Sequence, residues 1–141
     1  MKKTPIWFWV ISGLGIIWNA LGVGAYVMEL KMSHADRLEA YGQVLADAAA
    51  AQPAFITGAY AIAVFGGLFG CLALLLRSRY AVWLLGLSLL AVIIQQAYMW
   101  FGTDIMGTLP SADKIMYISI PVIALFLLWF SRAMRGKGIL R

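Results

Sequence analysis

Charge is scarce in this chain. Charged residues make up 12% of it, about half the share found in soluble domains. Cysteine and histidine are scarcer still, one of each, so an internal disulfide is excluded and no Cys/His spacing suggests zinc. No Asp, Glu, Lys, Arg or His lies in the deep part of any apolar block. That excludes a membrane-embedded acid–base pair or nucleophile set, and a proton-coupled carrier built on a buried carboxylate. Internal repeats and low-complexity tracts are also missing, and Ala48–Ala51 is merely a helical run.

What the chain has instead is apolar length. Hydrophobic residues make up 63% of its 141 positions, gathered in blocks. A membrane helix needs ~20 residues. Four blocks qualify: Ile6–Met28, Ala54–Leu76, Tyr80–Phe101 and roughly Ile115–Phe130. They leave no room for a soluble domain, so residues 1–141 read as one integral membrane unit. A soluble bundle would show one polar face per helix, whereas these blocks are apolar around most of their circumference. The expected fold is all-α, an antiparallel transmembrane four-helix bundle. The first block is too long for the 7–15-residue core of a signal peptide, so it is read as a span.

The placement of charge matters more than its sum of +5. Eight of the eleven basic residues sit at the N-terminus (Lys2, Lys3), in the second connection (Arg77, Arg79) or in the tail (Arg132, Arg135, Lys137, Arg141). By the positive-inside rule both termini face the cytoplasm. The other three, Lys31, Arg37 and Lys114, fall on the outer side with all six acids, among them Glu29, Asp36, Asp104 and Asp113. The basic tail reads as a topology anchor, with contact to anionic lipid second and no nucleic-acid partner. Trp7, Phe8, Trp9, Tyr80, Trp83, Trp129 and Phe130 at the inner ends, and Tyr26, Tyr98, Trp100, Phe101 and Tyr117 at the outer ends, read as interfacial belts. Trp18 lies near mid-membrane.

The first connection is long enough to hold a short periplasmic amphipathic helix, about residues 34–50. Ser33 is its N-cap and Asp36 lies in its first turn. Leu38, Tyr41, Leu45 and Ala48 give it a weak apolar face, Gly42 weakens it, and Pro53 ends it. Arg77-Ser78-Arg79 is a tight hairpin that makes spans two and three antiparallel neighbours. The third connection, GTDIMGTLPSADK, reads as a loop, with Ser111 able to cap span four. Pro121 removes the hydrogen bond to the Tyr117 carbonyl, which predicts a kink.

Within the apolar blocks the small and polar residues form stripes. Span one carries Ser12, Gly15, Asn19, Gly22 and Tyr26 on one side. Span two carries Tyr60, Ala63, Gly67 and Gly70, with Gly66 beside them; Gly66 and Gly70 form a GxxxG pair. Span three carries Ser88, Ala91, Gln95 and Tyr98. Gly15, Gly22, Ala63, Gly66, Gly67 and Gly70 are the expected helix-packing positions, because small residues let helix backbones approach in lipid. At ~1.5 Å of rise per residue, Asn19 lies roughly 20 Å from the inner end, Gln95 roughly 22 Å and Tyr60 roughly 24 Å. Hydrogen-bonding groups from separate helices thus share one level in the outer half, with Tyr26, Thr57 and Tyr98 nearby. Which of Gln95 and Gln96 faces the centre is open. Such a layer either fixes helix register, at about 0.6 kcal/mol per contact, or lines an outward-facing pocket for a neutral polar small molecule.

Other chemistry is weakly signalled. Met28, Met32, Met99, Met106 and Met116 fall toward the outer side near His34, and thioethers suit Cu(I), but no MxxM pair or second histidine accompanies them. Cys71 reads as a packing residue. No metal, cofactor or catalytic residue is expected.

The stretch WNALGVGAY in span one, PAFITG followed by AIAVFGGLFGCLALLLR in span two, and RAMRGKGIL in the tail resemble a family of small bacterial four-span membrane proteins, some labelled "sugar transporter". The resemblance covers most of the chain. It implies a bacterial inner-membrane protein of four spans and adds modest weight to transport. Two functions are therefore expected in order: a non-catalytic membrane protein acting by helix association, as a homo-oligomer or accessory subunit of a complex; and, alternatively, a binder or transporter of a neutral polar molecule such as a sugar.

Overall fold

The computed structural model of the chain describes residues 4–102, 107 and 111–140, apart from the side chain of Asp113. Lys2, Lys3, Asp104, Met106, Pro110 and Arg141 lie outside the described residues. In chain order the helices are α1 (Ile6–Lys31), α2 (His34–Tyr41), α3 (Gln43–Ala51), α4 (Ala54–Leu75), α5 (Tyr80–Phe101) and α6 (Ser111–Gly136). No strand occurs among the described residues. Four of the helices, α1, α4, α5 and α6 from Lys114, are long and apolar enough to cross a bilayer. The chain is an all-α, multi-pass integral membrane protein whose spans pack as an antiparallel four-helix bundle.

The bundle is a row that closes at one end. α4 packs on α5 and on α1, while α6 packs on α5. Matched contacts record the antiparallel register of α1 and α4. Gly15 lies against Cys71, Asn19 against Gly67, Gly22 against Val64, and Tyr26 stacks near Tyr60 at 5.2 Å. Each step up α1 is met by an equal step back along α4. At the end bearing Arg77, Arg79 and the tail, the basic end, α1 and α6 converge. There Phe8 stacks on Phe130 at 5.8 Å, Trp7 meets the same ring edge-on, and Leu127 reaches Gly15. Phe8, Cys71, Leu74, Leu85, Phe130 and Met134 form the largest core there.

Phe8 and Phe130 are therefore not interfacial belt residues. Both are nearly or fully buried, at 0% and 2% exposure, because this end is where the row of helices closes. Trp83, Trp129 and Phe101 are exposed as a belt requires.

Capping explains the boundaries. α4 stops because Arg77 adopts φ +58°, and the N–H groups of Arg77 and Ser78 donate to the carbonyls of Leu74 and Ala73 at 2.8 Å each. This is a Schellman stop made without glycine. Arg77 Nε donates to the Ile139 carbonyl at 3.1 Å, folding the tail under the bundle, where Ile139 and Leu140 are buried. Lys137 lies 5.4 Å from the centre of the Trp7 ring. The basic tail is thus also part of the core.

The expected single outer helix is two helices. Gly42 adopts φ +85°, which ends α2 and starts α3. The apolar spacing across Gly42 hides this break, since a left-handed residue leaves the periodicity of its flanks intact. α2 begins with a reciprocal capping box between Ser33 and Asp36, 3.1 Å in both directions. Span four runs further than residues 115–130, from Ser111 to Gly136, and is helical on both sides of Pro121. The third connection lies mostly outside the described residues.

Candidate functional site

The half of the bundle away from the basic end, here the loop end, holds a cavity of about 720 Å³. That is within the size range of small-molecule sites. Its walls come from α1, α4, α5 and α6, and α2–α3 roofs it with Arg37, Tyr41, Leu45 and Ala48. The cavity exists because α1 and α6 meet near the basic end and stand on opposite walls toward the loop end.

Asn19, Tyr26, Thr57, Tyr60, Gln95 and Tyr98 all line this one cavity. They are not hydrogen-bonded to one another. Asn19 Nδ2 donates to the Gly15 carbonyl at 2.8 Å and contacts Cys71 Sγ at 3.5 Å, while its Oδ1 side is pressed against Gly67. Hydrocarbon offers an amide no water, and the residue answers by bonding its own helix and the neighbouring thiol. Thr57 Oγ1 accepts from Gln52 Nε2 at 3.1 Å. Ser88 Oγ, deeper in the wall, donates to the Ala63 carbonyl at 2.6 Å.

The two adjacent glutamines differ. Gln96 Nε2 donates to the Tyr117 carbonyl at 3.1 Å, and its Oε1 accepts from Trp100 Nε1 at 3.0 Å. The Tyr117 carbonyl is the acceptor that Pro121 cannot serve, so Gln96 of α5 supplies the bond missing inside α6. The sequence carried both halves of this repair, but only the packing of α5 on α6 joins them. Gln95, by contrast, has no hydrogen-bond partner among the described residues. The same holds for the hydroxyls of Tyr26, Tyr60 and Tyr98, so among the described residues four uncharged groups facing the cavity are not spent on one another or on the wall.

Among the described residues the charged side chains on the cavity wall are Glu29 and Arg37. They pair with each other: Arg37 Nε lies 3.8 Å from Glu29 Oε2, and an Arg37 Nη donates to the Glu29 carbonyl at 2.7 Å. Partial burial, and then the negative charge of Glu29, push the neighbouring Tyr41 phenol above its ordinary pKa; Arg37 opposes this. On the roof, His34 Nε2 lies 3.7 Å from Asp47 Oδ1. Among the described residues no three His, Cys, Asp or Glu side chains gather to hold a metal ion.

The packing glycines have specific neighbours within the chain. A Cβ on Gly70 would meet Leu85, one on Gly66 would meet Ser88 at 3.4 Å, and one on Gly15 would meet Cys71 at 2.7 Å. The close approaches that these small residues permit are therefore made between helices of one chain.

Fold and cavity together define a membrane protein with a hydrogen-bonding recess in its loop-end half. Comparison with protein-family models, curated proteins and solved structures finds no match.

Proposed function

We propose that the chain is a non-catalytic binding protein of a bacterial inner membrane, holding an uncharged hydrogen-bonding small molecule in the loop-end cavity. The observation that carries this reading is the convergence of Tyr26, Tyr60, Gln95 and Tyr98 on one cavity from three helices, with polar groups that have no hydrogen-bond partner among the described residues. Glu29 and Arg37 neutralise each other at its wall, which favours a ligand without net charge. The distribution of basic residues supports cytoplasmic termini and a cavity in the periplasmic half of the bundle. The resemblance to small four-span bacterial proteins, some labelled sugar transporter, agrees with that placement. Transport itself would require the basic-end core of Phe8, Leu74 and Phe130 to part, so binding is the better-supported half of the carrier idea.

The test uses Trp18, which lines the cavity, as the reporter, with the other tryptophans replaced by phenylalanine. Its emission is titrated with glucose and with a monoacylglycerol. A saturable change with either probe, lost in the Tyr60→Phe/Gln95→Leu double variant, supports the reading. No saturable change with both contradicts it.

Helix association is the second reading. Its supporting observation is that Gly13 and Gly24, on one face of α1, have no atom near the position of an added Cβ, and Ala20 between them is exposed. That face would admit a second copy or a subunit of a larger complex at close range. Gly24→Leu should then convert a detergent-solubilised oligomer to monomer in light scattering. A wild-type particle that is already monomeric with no reproducible partner contradicts this reading.

A further inference from the structure

Resting on the binding reading above, we infer that the ligand is an amphiphile, with an uncharged hydrogen-bonding head on a hydrocarbon chain, and that it enters sideways from the bilayer between α1 and α6.

The first observation is that the cavity changes character along its depth. Toward the loop end its wall carries Tyr60, Gln95, Tyr98 and Gln52. Toward the basic end it is Gly67, Leu85, Ile123, Ala124 and Leu127. The polar groups at that depth, Asn19 and Ser88, already donate to the carbonyls of Gly15 and Ala63. A wholly polar solute would find fewer partners on the floor, where no donor is left over, than toward the loop end, and would replace little of the water it shed there. A hydrocarbon chain meets no such cost, because it leaves one apolar surrounding for another.

The second observation is a gap in the wall. Leu21 of α1 and Met116 of α6 line the cavity, yet they are 68% and 55% exposed. Among the described residues α1 packs on α4 and α6 on α5, and toward the loop end no packed interface joins α1 to α6. The cavity is therefore open between these two helices at the height of a bilayer leaflet. A chain can lie through that opening while the head turns in toward Tyr60 and Gln95. Because the chain stays in apolar surroundings throughout, selection rests on the head. Affinity expressed as mole fraction in the membrane should depend little on chain length.

The experiment places the Trp18 reporter protein in phosphatidylcholine vesicles and adds a monoacylglycerol whose chain carries two bromine atoms, a contact quencher. Saturable quenching at a few mole per cent is expected, well above that from phosphatidylcholine of equal bromine content. Unbrominated monooleoylglycerol should displace the probe, and glycerol or glucose in large excess should not. Ala124→Phe, which fills the floor, should weaken quenching tenfold or more; Leu125→Phe on the outer face should leave it unchanged. Displacement by glucose or glycerol, or quenching no greater than that from the brominated phosphatidylcholine while glucose still perturbs Trp18, overturns the amphiphile and leaves the binding reading standing. If neither probe affects Trp18, both fall. Should Ala124→Phe fail to fold, the displacement series in the unaltered cavity decides alone.

Discussion

Asn19 must satisfy an amide in hydrocarbon, and it does so by three adjustments: a bond back to Gly15, a contact with Cys71, and a seat against Gly67. The seat requires glycine, since a methyl group at position 67 would collide with the amide. Gly67→Ala is thus expected to cost about 1–3 kcal/mol, as over-packing does in other cores. Gly13→Ala, with open space around it, should be neutral or stabilise by up to about 1 kcal/mol. Equilibrium unfolding in mixed micelles measures both, and equal effects would contradict the contact. At the roof, the folded-state pKa of Tyr41 lies above the unfolded value of about 10. Past that pH the unfolded chain gives up the phenol proton first, so stability falls as pH rises through the window between the two values. Absorbance titration should find this tyrosine ionising late. Glu29→Gln should move its midpoint partly back, because burial, the larger cause, remains.

At the scale of elements, α5 and α6 are coupled through a repair. Gln96 donates to the Tyr117 carbonyl, to which Pro121, having no N–H, cannot donate. Gln96→Leu should destabilise by ~1 kcal/mol, the cost of removing a hydrogen-bond donor from a partly buried acceptor. Pro121→Ala restores the intrahelical donor, so Gln96→Leu should cost much less in that background. A double-mutant cycle showing simple additivity would contradict the coupling. The spans, the antiparallel hairpin at Arg77–Arg79 and the Ser33 cap were legible in the sequence, because each is set by local length, hydropathy or capping chemistry. The break at Gly42 was not, since a glycine in a helical pattern does not announce which sign of φ it takes. Nor was the burial of Phe8 and Phe130: an aromatic residue near a span end serves equally as a belt or a core residue until its neighbours are known.

For the whole molecule, the asymmetry between a closed basic end and a recessed loop end organises everything else. The polar stripes of the three helices were readable from helical spacing, but the common depth expected for Asn19, Tyr60 and Gln95 was not met: Asn19 lies against Gly67, while it is Tyr26, seven residues further along α1, that meets Tyr60. Nor was the pairing of the polar groups readable: that Asn19 spends its amide on Gly15, that among the described residues Gln96 is engaged and Gln95 is not, and that α1 and α6 part to form the recess all depend on which helices are neighbours. Accessibility of the recess to water tests this organisation most directly. With Cys71 replaced by alanine, Gln95→Cys and Ile93→Cys are treated in sealed vesicles with a charged, membrane-impermeant thiol reagent added from the loop-end side. Ile93 is 51% exposed on the outer surface of the same helix, two positions away. Rapid modification at position 95, with position 93 at least tenfold slower, is the predicted result. Equal protection at both positions would mean that the loop-end half of the bundle is closed, contradicting the cavity on which the functional reading stands.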